Sequence, residues 1–422
     1  MQYKSLRELK EKLSNLGVTI PLSDNLDVLN TPIEIAGKTL KNRLAIQPME
    51  GCDGTPDGKP DELTIRRYRR FAKSGAALIW VEATAVVPEG RANPRQLMLN
   101  TKNLESFKQL VDEIKEISTK EFGFAPLLIL QLTHSGRYSK PQGVPAPIVA
   151  YKKEGDGEVT VADDEYLSAL PKAYVNAAKL AEEAGFDGVD VKACHGYLFC
   201  ELLSAFTREG NYGGSFENRT RLLLDAVAAV KNAVSDNFLV TSRLNVFDGC
   251  SDFGNDINEP ISLVKKLADG GIPLVDITLG NPYVNPHVNR PAEKYSYETP
   301  ENPLVGVARM CEYIGKIKKA VPNIAVLASG FSYLGALAAN QAAGIIEEGC
   351  ADLSGFGRQA FAYPDFAKDI LENGCLEQQK CCITCGKCSE LMRAGSVSGC
   401  VIRDSEMYAP IYKKAVQGVE KQ

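Results

Sequence analysis

Short apolar runs and longer amphipathic segments alternate along most of the chain. The apolar runs are rich in Val, Ile and Leu and predict strands: Arg43–Gln47, Ala77–Glu82, Leu127–Leu132, Gly188–Lys192, Phe238–Arg243, Leu274–Thr278, Ile324–Ala328 and Ala351–Ser354. The segments between them predict helices: Glu62–Ser74, Leu104–Thr119, Asp164–Ala184, Glu217–Ser235 and Asn302–Ala320. This alternation predicts repeated β-α units, and therefore a parallel sheet with helical crossovers.

The number of these units favours one fold class. Eight units over about 330 residues predict an α/β fold, a closed (β/α)8 TIM barrel with insertions. The alternative, an open doubly wound sheet, usually shows a G-x-G-x-x-G turn after its first strand, and the sequence has no such turn. We divide the chain into an N-terminal helical extension (1–30), the barrel (31–370) and a C-terminal segment and tail (371–422).

Composition narrows the class of protein further. The 422 residues are 44% hydrophobic, but apolar runs such as Ala125–Leu132 are shorter than the roughly 20 residues of a membrane span, so we expect none. A net charge of −5 without a basic run gives no support for a nucleic-acid partner. The 12 cysteines, together with a start that lacks an apolar signal core, favour a cytoplasmic protein.

The most specific chemical signal is a set of four cysteines in the C-terminal segment. Two residues separate each of the first three, and the fourth follows after a gap: Cys382, Cys385, Cys388 and Cys400. Thiolates ligate iron–sulfur clusters, and a tight turn lets close cysteines converge on one 4Fe-4S cluster. A structural zinc ion, which favours two separated ligand pairs, and disulfides or free thiols are the alternatives. Cys381 is a second candidate for the first ligand, and Cys375 also lies close, but Cys382 gives the more regular spacing.

Polar residues and glycines follow the predicted strands, where a TIM barrel places its active site. They are Gln47–Cys52, Gln131, His134–Arg137, Lys192–Leu198, Arg243, Ser329–Gly330 and Gly355–Arg358. Many barrels bind a phosphate after strands seven and eight, through backbone N–H groups and a basic side chain. Each glycine alone would only mark a tight turn, but Gly330 with Gly357 and Arg358 favours a phosphate site.

Several longer motifs resemble those of a known family. The segment Ala193–Arg221 (ACHGYLFCELLSAFTREGNYGGSFENRTR) and the runs LKNRLAIQPM, EATAVVPEGR, QLTHSGRYS and GFGR are similar to the old yellow enzyme family of FMN-binding barrels. With the four cysteines, the closest resemblance is to its iron–sulfur branch, in particular to the barrel portion of 2,4-dienoyl-CoA reductase and trimethylamine dehydrogenase. The resemblance implies a flavin-dependent oxidoreductase with an FMN-binding barrel and a 4Fe-4S-binding C-terminal extension.

The resemblance also implies which residues contact the FMN. By matching motif positions these are Pro48, Met49, Ala83, Gln131, Arg243, Gly330, Gly357 and Arg358. Gln131 would bond the pyrimidine edge of the flavin, and Arg243 would offset negative charge at N1 and O2. The two glycines and Arg358 would hold the phosphate.

The residues beyond the fourth predicted strand suit chemistry on an activated alkene. Hydride transfer from a reduced flavin needs a donor at the substrate carbonyl and an acid for the neighbouring carbon. His195 can be the donor and Tyr197 the acid, because a phenol with a reference pKa of about 10 keeps its proton at neutral pH. A loop histidine and a core aromatic are the structural alternatives. Lys192, where many relatives carry His or Asn, is either a second donor or an ion-pair partner of a residue such as Asp190.

Three further segments complete the expectations. His134 and Arg137 are candidates for substrate contact or for structural roles. The segment Ser139–Asp163, which contains three prolines, is expected to cover the rim as a lid. The tail Val401–Gln422 is a candidate for contacts between copies of the chain, so a homo-oligomer is one expectation.

The sequence therefore predicts an FMN- and 4Fe-4S-dependent ene-reductase acting on an α,β-unsaturated carbonyl or carboxylate. The alternative is an amine dehydrogenase that passes electrons from FMN through the cluster to a carrier. Because a 4Fe-4S cluster carries single electrons and no FAD domain follows the barrel, we expect a separate ferredoxin-like or flavoprotein electron donor. Direct reduction by NAD(P)H is the alternative supply.

Overall fold

Eight parallel strands close into a barrel in the computed structural model, which describes residues 3–249, 252–293 and 297–418. The strands are β1 (Ile33–Ile35), β2 (Lys38–Leu40), β3 (Leu44–Ile46), β4 (Leu78–Ala85), β5 (Leu127–Thr133), β6 (Ile148–Val149), β7 (Thr160–Val161), β8 (Gly188–Val191), β9 (Leu239–Asn245), β10 (Leu274–Thr278), β11 (Ala325–Ala328) and β12 (Leu353–Phe356). The barrel consists of β3, β4, β5, β8, β9, β10, β11 and β12, and it closes between β12 and β3. The predicted (β/α)8 fold is confirmed, since each predicted strand overlaps one barrel strand.

Helices precede, connect and follow the barrel strands. They are α1 (Leu6–Leu16), α2 (Glu62–Ala72), α3 (Leu104–Phe122), α4 (Asp164–Glu183), α5 (Leu198–Leu203), α6 (Phe216–Lys231), α7 (Asn258–Asp269), α8 (Pro286–Asn289), α9 (Pro303–Ala320), α10 (Ala338–Glu347), α11 (Arg358–Ala362), α12 (Phe366–Asn373), α13 (Lys387–Arg393) and α14 (Ser405–Ala415). The five predicted helices correspond to α2, α3, α4, α6 and α9. Within the described residues, no helix is both long and apolar enough to cross a lipid bilayer.

Burial explains why the strands stand out in the sequence. Every residue of β4, β5 and β9 is buried. Because helices cover the outer face of a parallel barrel and side chains fill its interior, such strands appear as continuous apolar runs.

The C-terminal segment packs against the rim at the carboxyl ends of the strands. Its helices α13 and α14 share a small apolar core of their own: Leu391, Val397, Val401, Tyr408 and Tyr412. Asp404, directly before α14, accepts two hydrogen bonds from Arg66 of α2, at 2.7 and 2.9 Å. The backbone N–H of Ser398 donates to the carbonyl oxygen of Gly51, just after β3, at 2.6 Å. These contacts hold the cysteine-bearing segment against the mouth of the barrel.

Candidate active site

A cleft of about 670 Å³ opens at the carboxyl ends of the barrel strands. It brings together eight residues that the sequence predicts for cofactor or substrate: Pro48, Met49, Ala83, Gln131, Lys192, His195, Tyr197 and Arg243. Five barrel strands or the turns that follow them supply these residues, from β3, β4, β5, β8 and β9. Residues far apart in the chain therefore meet because their strands are neighbours in the barrel.

Two buried carboxylates hold the polar side chains at the floor of this cleft. Asp190 on β8 accepts hydrogen bonds of 2.6 Å from Gln131 Nε2 and from the backbone N–H of Arg243. Asp276 on β10 lies 2.9 Å from Nε of Arg243. Burial raises the pKa of Asp190 to about 6 and that of Asp276 to about 7, although Arg243 opposes both shifts. The amide of Gln131 and the guanidinium of Arg243 are thus fixed in orientation by neighbouring strands.

This floor fits the flavin that the motifs imply. A flavin pyrimidine presents carbonyl oxygens and an N–H group, and an amide beside a guanidinium provides matching donors and an acceptor. Gln131 and Arg243 both line the cleft, and Pro48 and Met49 line it directly after β3. These residues would hold the flavin ring of FMN.

The three residues predicted for the phosphate, Gly330, Gly357 and Arg358, have different surroundings. Gly330 follows β11 with a φ of 97°, a conformation that favours glycine. A Cβ on Gly357 would lie 3.0 Å from Sδ of Met49, so this turn passes directly beneath a residue of the cleft. Arg358 lines the cavity that contains the four predicted cysteine ligands, and its charge opposes the rise in the pKa of Cys382. Arg358 therefore lies beside the cysteines.

His195 and Tyr197 both reach the cleft from the turn between β8 and α5. His195 has a φ of 65°, and its buried Nε2 has no hydrogen-bond partner among the described residues. Burial, then the charges of Arg243 and Lys192, hold the pKa of His195 well below its ordinary value, so the ring is neutral and can donate from one nitrogen. Burial raises the pKa of Tyr197, which keeps its proton available at neutral pH.

Lys192 contacts Tyr197 rather than a carboxylate. Its Nζ lies 3.9 Å from the centroid of the Tyr197 ring. Asp190, the ion-pair partner considered from the sequence, is bound instead by Gln131, Trp80 and the backbone of Arg243. Burial lowers the pKa of Lys192. The Asp190 ion pair is therefore not what the structure shows.

The structure places His134 and Arg137 outside the residues that line the cleft. His134 accepts from the backbone N–H of Gly136 at 3.0 Å, and its Nε2 lies 2.8 Å from the hydroxyl of Tyr166 on α4. Arg137 donates to Glu201 at 2.6 Å and to Asp156 at 2.5 Å. Both side chains therefore have structural roles: their contacts connect the loop after β5 to α4, α5 and residues 139–163.

The walls of the cleft include residues to which the sequence analysis assigned no role. Glu50 lies directly after Met49, and Tyr283 and Arg290 belong to the loop after β10. The hydroxyl oxygens of Tyr283 and Tyr197 lie 3.5 Å apart, and Tyr283 stacks on Tyr138 with ring centroids 3.8 Å apart. The predicted lid, 139–163, supplies none of the described lining residues. A search for aromatic and charged residues in every loop that leaves the rim would have found Tyr283 and Arg290.

The four predicted cluster ligands line one cavity. Cys382, Cys385, Cys388 and Cys400 all border it, whereas Sγ of Cys381 lies 3.4 Å from the carbonyl oxygen of Glu377 and Cys375 is exposed. Backbone N–H groups donate to sulfur at two of these positions, from Thr384 to Cys382 at 3.4 Å and from Arg403 to Cys400 at 3.3 Å.

Among the described residues, no three His, Cys, Asp or Glu side chains are grouped closely enough to hold a metal ion. Four thiols on one cavity are nevertheless the donor set that an iron–sulfur cluster uses. The donor set and the N–H donors to sulfur fit an iron–sulfur cluster, and Cys388 also lines the active-site cleft.

Comparison with known sequences agrees with this geometry. The sequence matches the NADH:flavin oxidoreductase / NADH oxidase family over residues 28–377. It is 33% identical over 260 residues to an NADPH dehydrogenase of Bacillus subtilis (strain 168), which covers 60% of this chain and 73% of that protein. FMN and NAD(P)H, both expected from the sequence, are the cofactors to which this family and this relative point.

Solved structures share the fold. A 2-naphthoyl-CoA reductase in complex with 2-naphthoyl-CoA superposes with a TM-score of 0.74 at 22% identity, over 89% of this chain and 57% of that one. This chain thus spans little more than half the length of that reductase. An old yellow enzyme homologue from Zymomonas mobilis gives a TM-score of 0.65 at 23% identity, over 83% of this chain and 94% of that one. The resemblance to old yellow enzymes is confirmed, and the chain belongs to the NADH:flavin oxidoreductase / NADH oxidase family of flavin-dependent oxidoreductases.

Proposed function

We propose that this protein is an ene-reductase that uses FMN and a 4Fe-4S cluster to reduce the C=C bond of an α,β-unsaturated carbonyl or carboxylate compound. One observation carries the proposal. His195, Tyr197 and Lys192 line the same cleft as Gln131, Arg243, Pro48 and Met49, so a donor, an acid and a cation face the space beside the predicted flavin floor.

The side chains divide the chemistry between them. When bound, FMN supplies the hydride for the electrophilic carbon of the alkene. His195, neutral and without a partner at Nε2 among the described residues, binds the carbonyl oxygen of the substrate. Tyr197 protonates the neighbouring carbon, and the adjacent Tyr283 hydroxyl at 3.5 Å offers a route by which its proton is replaced.

The cysteine cavity supports a route for single electrons into the cleft. Cys388 borders both the cavity and the cleft, so a cluster bound there would lie next to the flavin. We propose that Cys382, Cys385, Cys388 and Cys400 ligate a 4Fe-4S cluster that receives electrons from a ferredoxin-like or flavoprotein partner. The NADPH dehydrogenase relative supports direct reduction by a nicotinamide cofactor as the alternative.

The 2-naphthoyl-CoA reductase is named for a substrate whose reducible ring is conjugated to an acyl group. That supports the same substrate chemistry here, namely unsaturation next to a carbonyl.

An aromatic cluster at the cleft is the observation that favours the second candidate, an amine dehydrogenase. Tyr197 and Tyr283 line the cleft, Tyr138 packs against both rings, and aromatic faces bind organic cations. However, the ammonium of Lys192 already lies over the Tyr197 ring, at 3.9 Å. A cationic substrate would meet like charge there, so the ene-reductase fits better.

Anaerobic purification followed by iron, sulfide and flavin analysis tests the cofactors. Reduction with dithionite and reoxidation against enones, enoates and dienoates then tests the reaction. Flavin with about four irons, reoxidised by an alkene, is the expected result. A flavin that no alkene reoxidises, but that amines reduce, would move the assignment to the amine dehydrogenase.

A further inference from the structure

Lys192 is a buried basic residue whose side chain reaches the cleft. Only 5% of the residue is exposed, and it lines the cleft. Its Nζ lies 3.9 Å from the centroid of the Tyr197 ring, and this ammonium forms no hydrogen bond or ion pair with any described residue. An ammonium has three N–H donors, and burying it without an acceptor is costly.

The carboxylates around Lys192 are engaged elsewhere. Asp190 is bound by Gln131, Trp80 and the backbone of Arg243. Glu50 accepts from Nδ2 of Asn93 at 2.8 Å and forms no ion pair with Lys192. The buried positive charge is therefore left open on the side that faces the cleft.

We infer that Lys192 binds the carboxylate group of the substrate, so that the proposed reductase acts on 2-enoates in preference to neutral enones or esters. The inference rests on the proposed function and names its substrate class. An anion in the cleft satisfies the N–H donors of Lys192, which no described side chain does, and it adds to the partial offset of the Lys192 charge by Glu50.

This placement also suits the reaction. A carboxylate activates an alkene less than a ketone does, because its negative charge opposes attack by hydride. Contact with the ammonium of Lys192 and with His195 stabilises the charge that builds up on the carboxylate oxygens. The β-carbon then accepts the hydride, the α-carbon takes the proton of Tyr197, and the product is the saturated carboxylate.

Equilibrium binding tests the inference without turnover. Hexanoate and hexanamide have matching chains, and each can be titrated into the oxidised holoenzyme while the flavin spectrum is recorded. We expect hexanoate to bind at least about tenfold more tightly than hexanamide, which corresponds to one well-formed charge-assisted contact. Lys192→Met should remove this preference, and Lys192→Arg should retain it.

Lys153→Met provides a matched control. Lys153 also lies over a tyrosine ring, Tyr151 at 5.2 Å, but it does not line the cleft. It should leave the preference for hexanoate unchanged. Equal binding of hexanoate and hexanamide to the wild type would overturn the inference, and so would a Lys192→Met variant that keeps the preference.

Turnover separates this inference from the proposed function. Reduced enzyme should be reoxidised by trans-2-hexenoate with a lower KM than by its methyl ester, and Lys192→Met should raise the KM for the acid alone. If acid and ester react equally, the inference fails and the ene-reductase stands. If neither reacts while hexanoate still binds through Lys192, the proposed function fails and the carboxylate site stands.

Discussion

At the scale of single residues, Tyr197 is the side chain on which the proposed chemistry depends most directly. Replacing it with Phe removes the proton donor but preserves the ring over which Lys192 lies. We expect Tyr197→Phe to retain FMN and to slow alkene-dependent reoxidation of the flavin by about 10²- to 10⁴-fold, the range for loss of a general acid. Stopped-flow absorbance after anaerobic reduction measures this rate.

Tyr283→Phe is the matched control for that variant. It removes only the hydroxyl 3.5 Å from Tyr197 and leaves the stacking on Tyr138 in place. We expect a much smaller loss of rate. A Tyr197→Phe variant that reoxidises at the wild-type rate would show that the proton comes from another group.

The burial of His134 leads to a prediction about how the free energy of unfolding depends on pH. Burial lowers its pKa to about 4, so the folded protein keeps this ring neutral where an unfolded chain, with a pKa of about 6.5, takes up a proton. Below pH 6.5 the unfolded state therefore binds more protons, and stability falls as the pH falls from 6.5 towards 4, by up to about 3 kcal/mol. Urea unfolding across this range measures the loss.

His134→Gln should flatten that pH dependence, because its amide can still donate to Tyr166 but does not titrate. His287→Gln serves as the comparison: His287 is partly exposed and burial lowers its pKa less far than that of His134, so this variant should flatten the slope less. An unchanged slope in His134→Gln would mean that other groups cause the loss of stability.

Most single residues of the site could be predicted because they stand in longer motifs next to strands. Tyr283 could not, because it becomes part of the site only through its contacts with Tyr138 and Tyr197, more than eighty positions away in the chain. Spacing alone also could not decide whether Cys381 or Cys382 is the first predicted ligand. The side chains of two consecutive residues differ mainly in the direction in which they point. The fold directs Cys382 to the cavity and Cys381 to Glu377.

At the scale of elements, the packing of the loop after β5 against α5 positions the turn that carries His195 and Tyr197. Gly136 has a φ of 59°, and a Cβ there would lie 2.7 Å from the backbone nitrogen of Leu198, the residue after Tyr197. Gly136→Ala must therefore displace the start of α5 and adopt an unfavourable backbone conformation. We expect a loss of about 1 to 3 kcal/mol and a slower reoxidation of the flavin by alkenes.

Gly143→Ala separates the two causes. Its φ of 83° carries the same backbone penalty, but the nearest atom to a Cβ is Cγ of Pro94 at 3.5 Å, an ordinary contact. Urea unfolding should show a smaller loss for Gly143→Ala, with the rate of reoxidation unchanged. Equal losses of stability and rate in the two variants would contradict the role of the Leu198 contact.

The barrel strands were predictable as elements because burial on both faces makes them continuous apolar runs. The two-residue strands β6 and β7 were not, because so short a pairing leaves no pattern in the sequence. Residues 139–163, expected as a lid, are instead tied to Arg137 and Glu201 through Asp156 and the backbone of Ala150. No composition signal distinguishes a loop that covers a cleft from one that is bound beside it.

At the scale of the whole molecule, the C-terminal segment returns to the mouth of the barrel and completes the cleft. Cys388, Ser389, Met392 and Ser398 all line it. The sequence predicted a cysteine-bearing extension but not this contact, because it depends on pairings between residues more than 300 positions apart, such as Arg66 with Asp404.

The contacts of Asp404 provide a test of whether this docking holds the proposed cluster beside the flavin. Asp404 has 8% of its side chain exposed and binds both Arg66 and Arg70 of α2, and its backbone N–H donates to the carbonyl oxygen of Cys400 at 3.0 Å. Asp404→Asn leaves two arginines without their carboxylate, and we expect a loss of about 1 to 3 kcal/mol, less than for a fully buried pair because the arginines are partly exposed.

This loss of stability should affect the C-terminal segment rather than the barrel. We therefore expect Asp404→Asn to release iron to a chelator faster than the wild type and to be cleaved sooner by protease beyond residue 371, while its flavin content stays the same. Asp24→Asn is the control, because Asp24 pairs with Lys10 at 3.6 Å with 80% of its side chain exposed. If Asp404→Asn keeps its iron and its resistance to protease as well as Asp24→Asn does, the segment is held by its apolar core and its other hydrogen bonds instead.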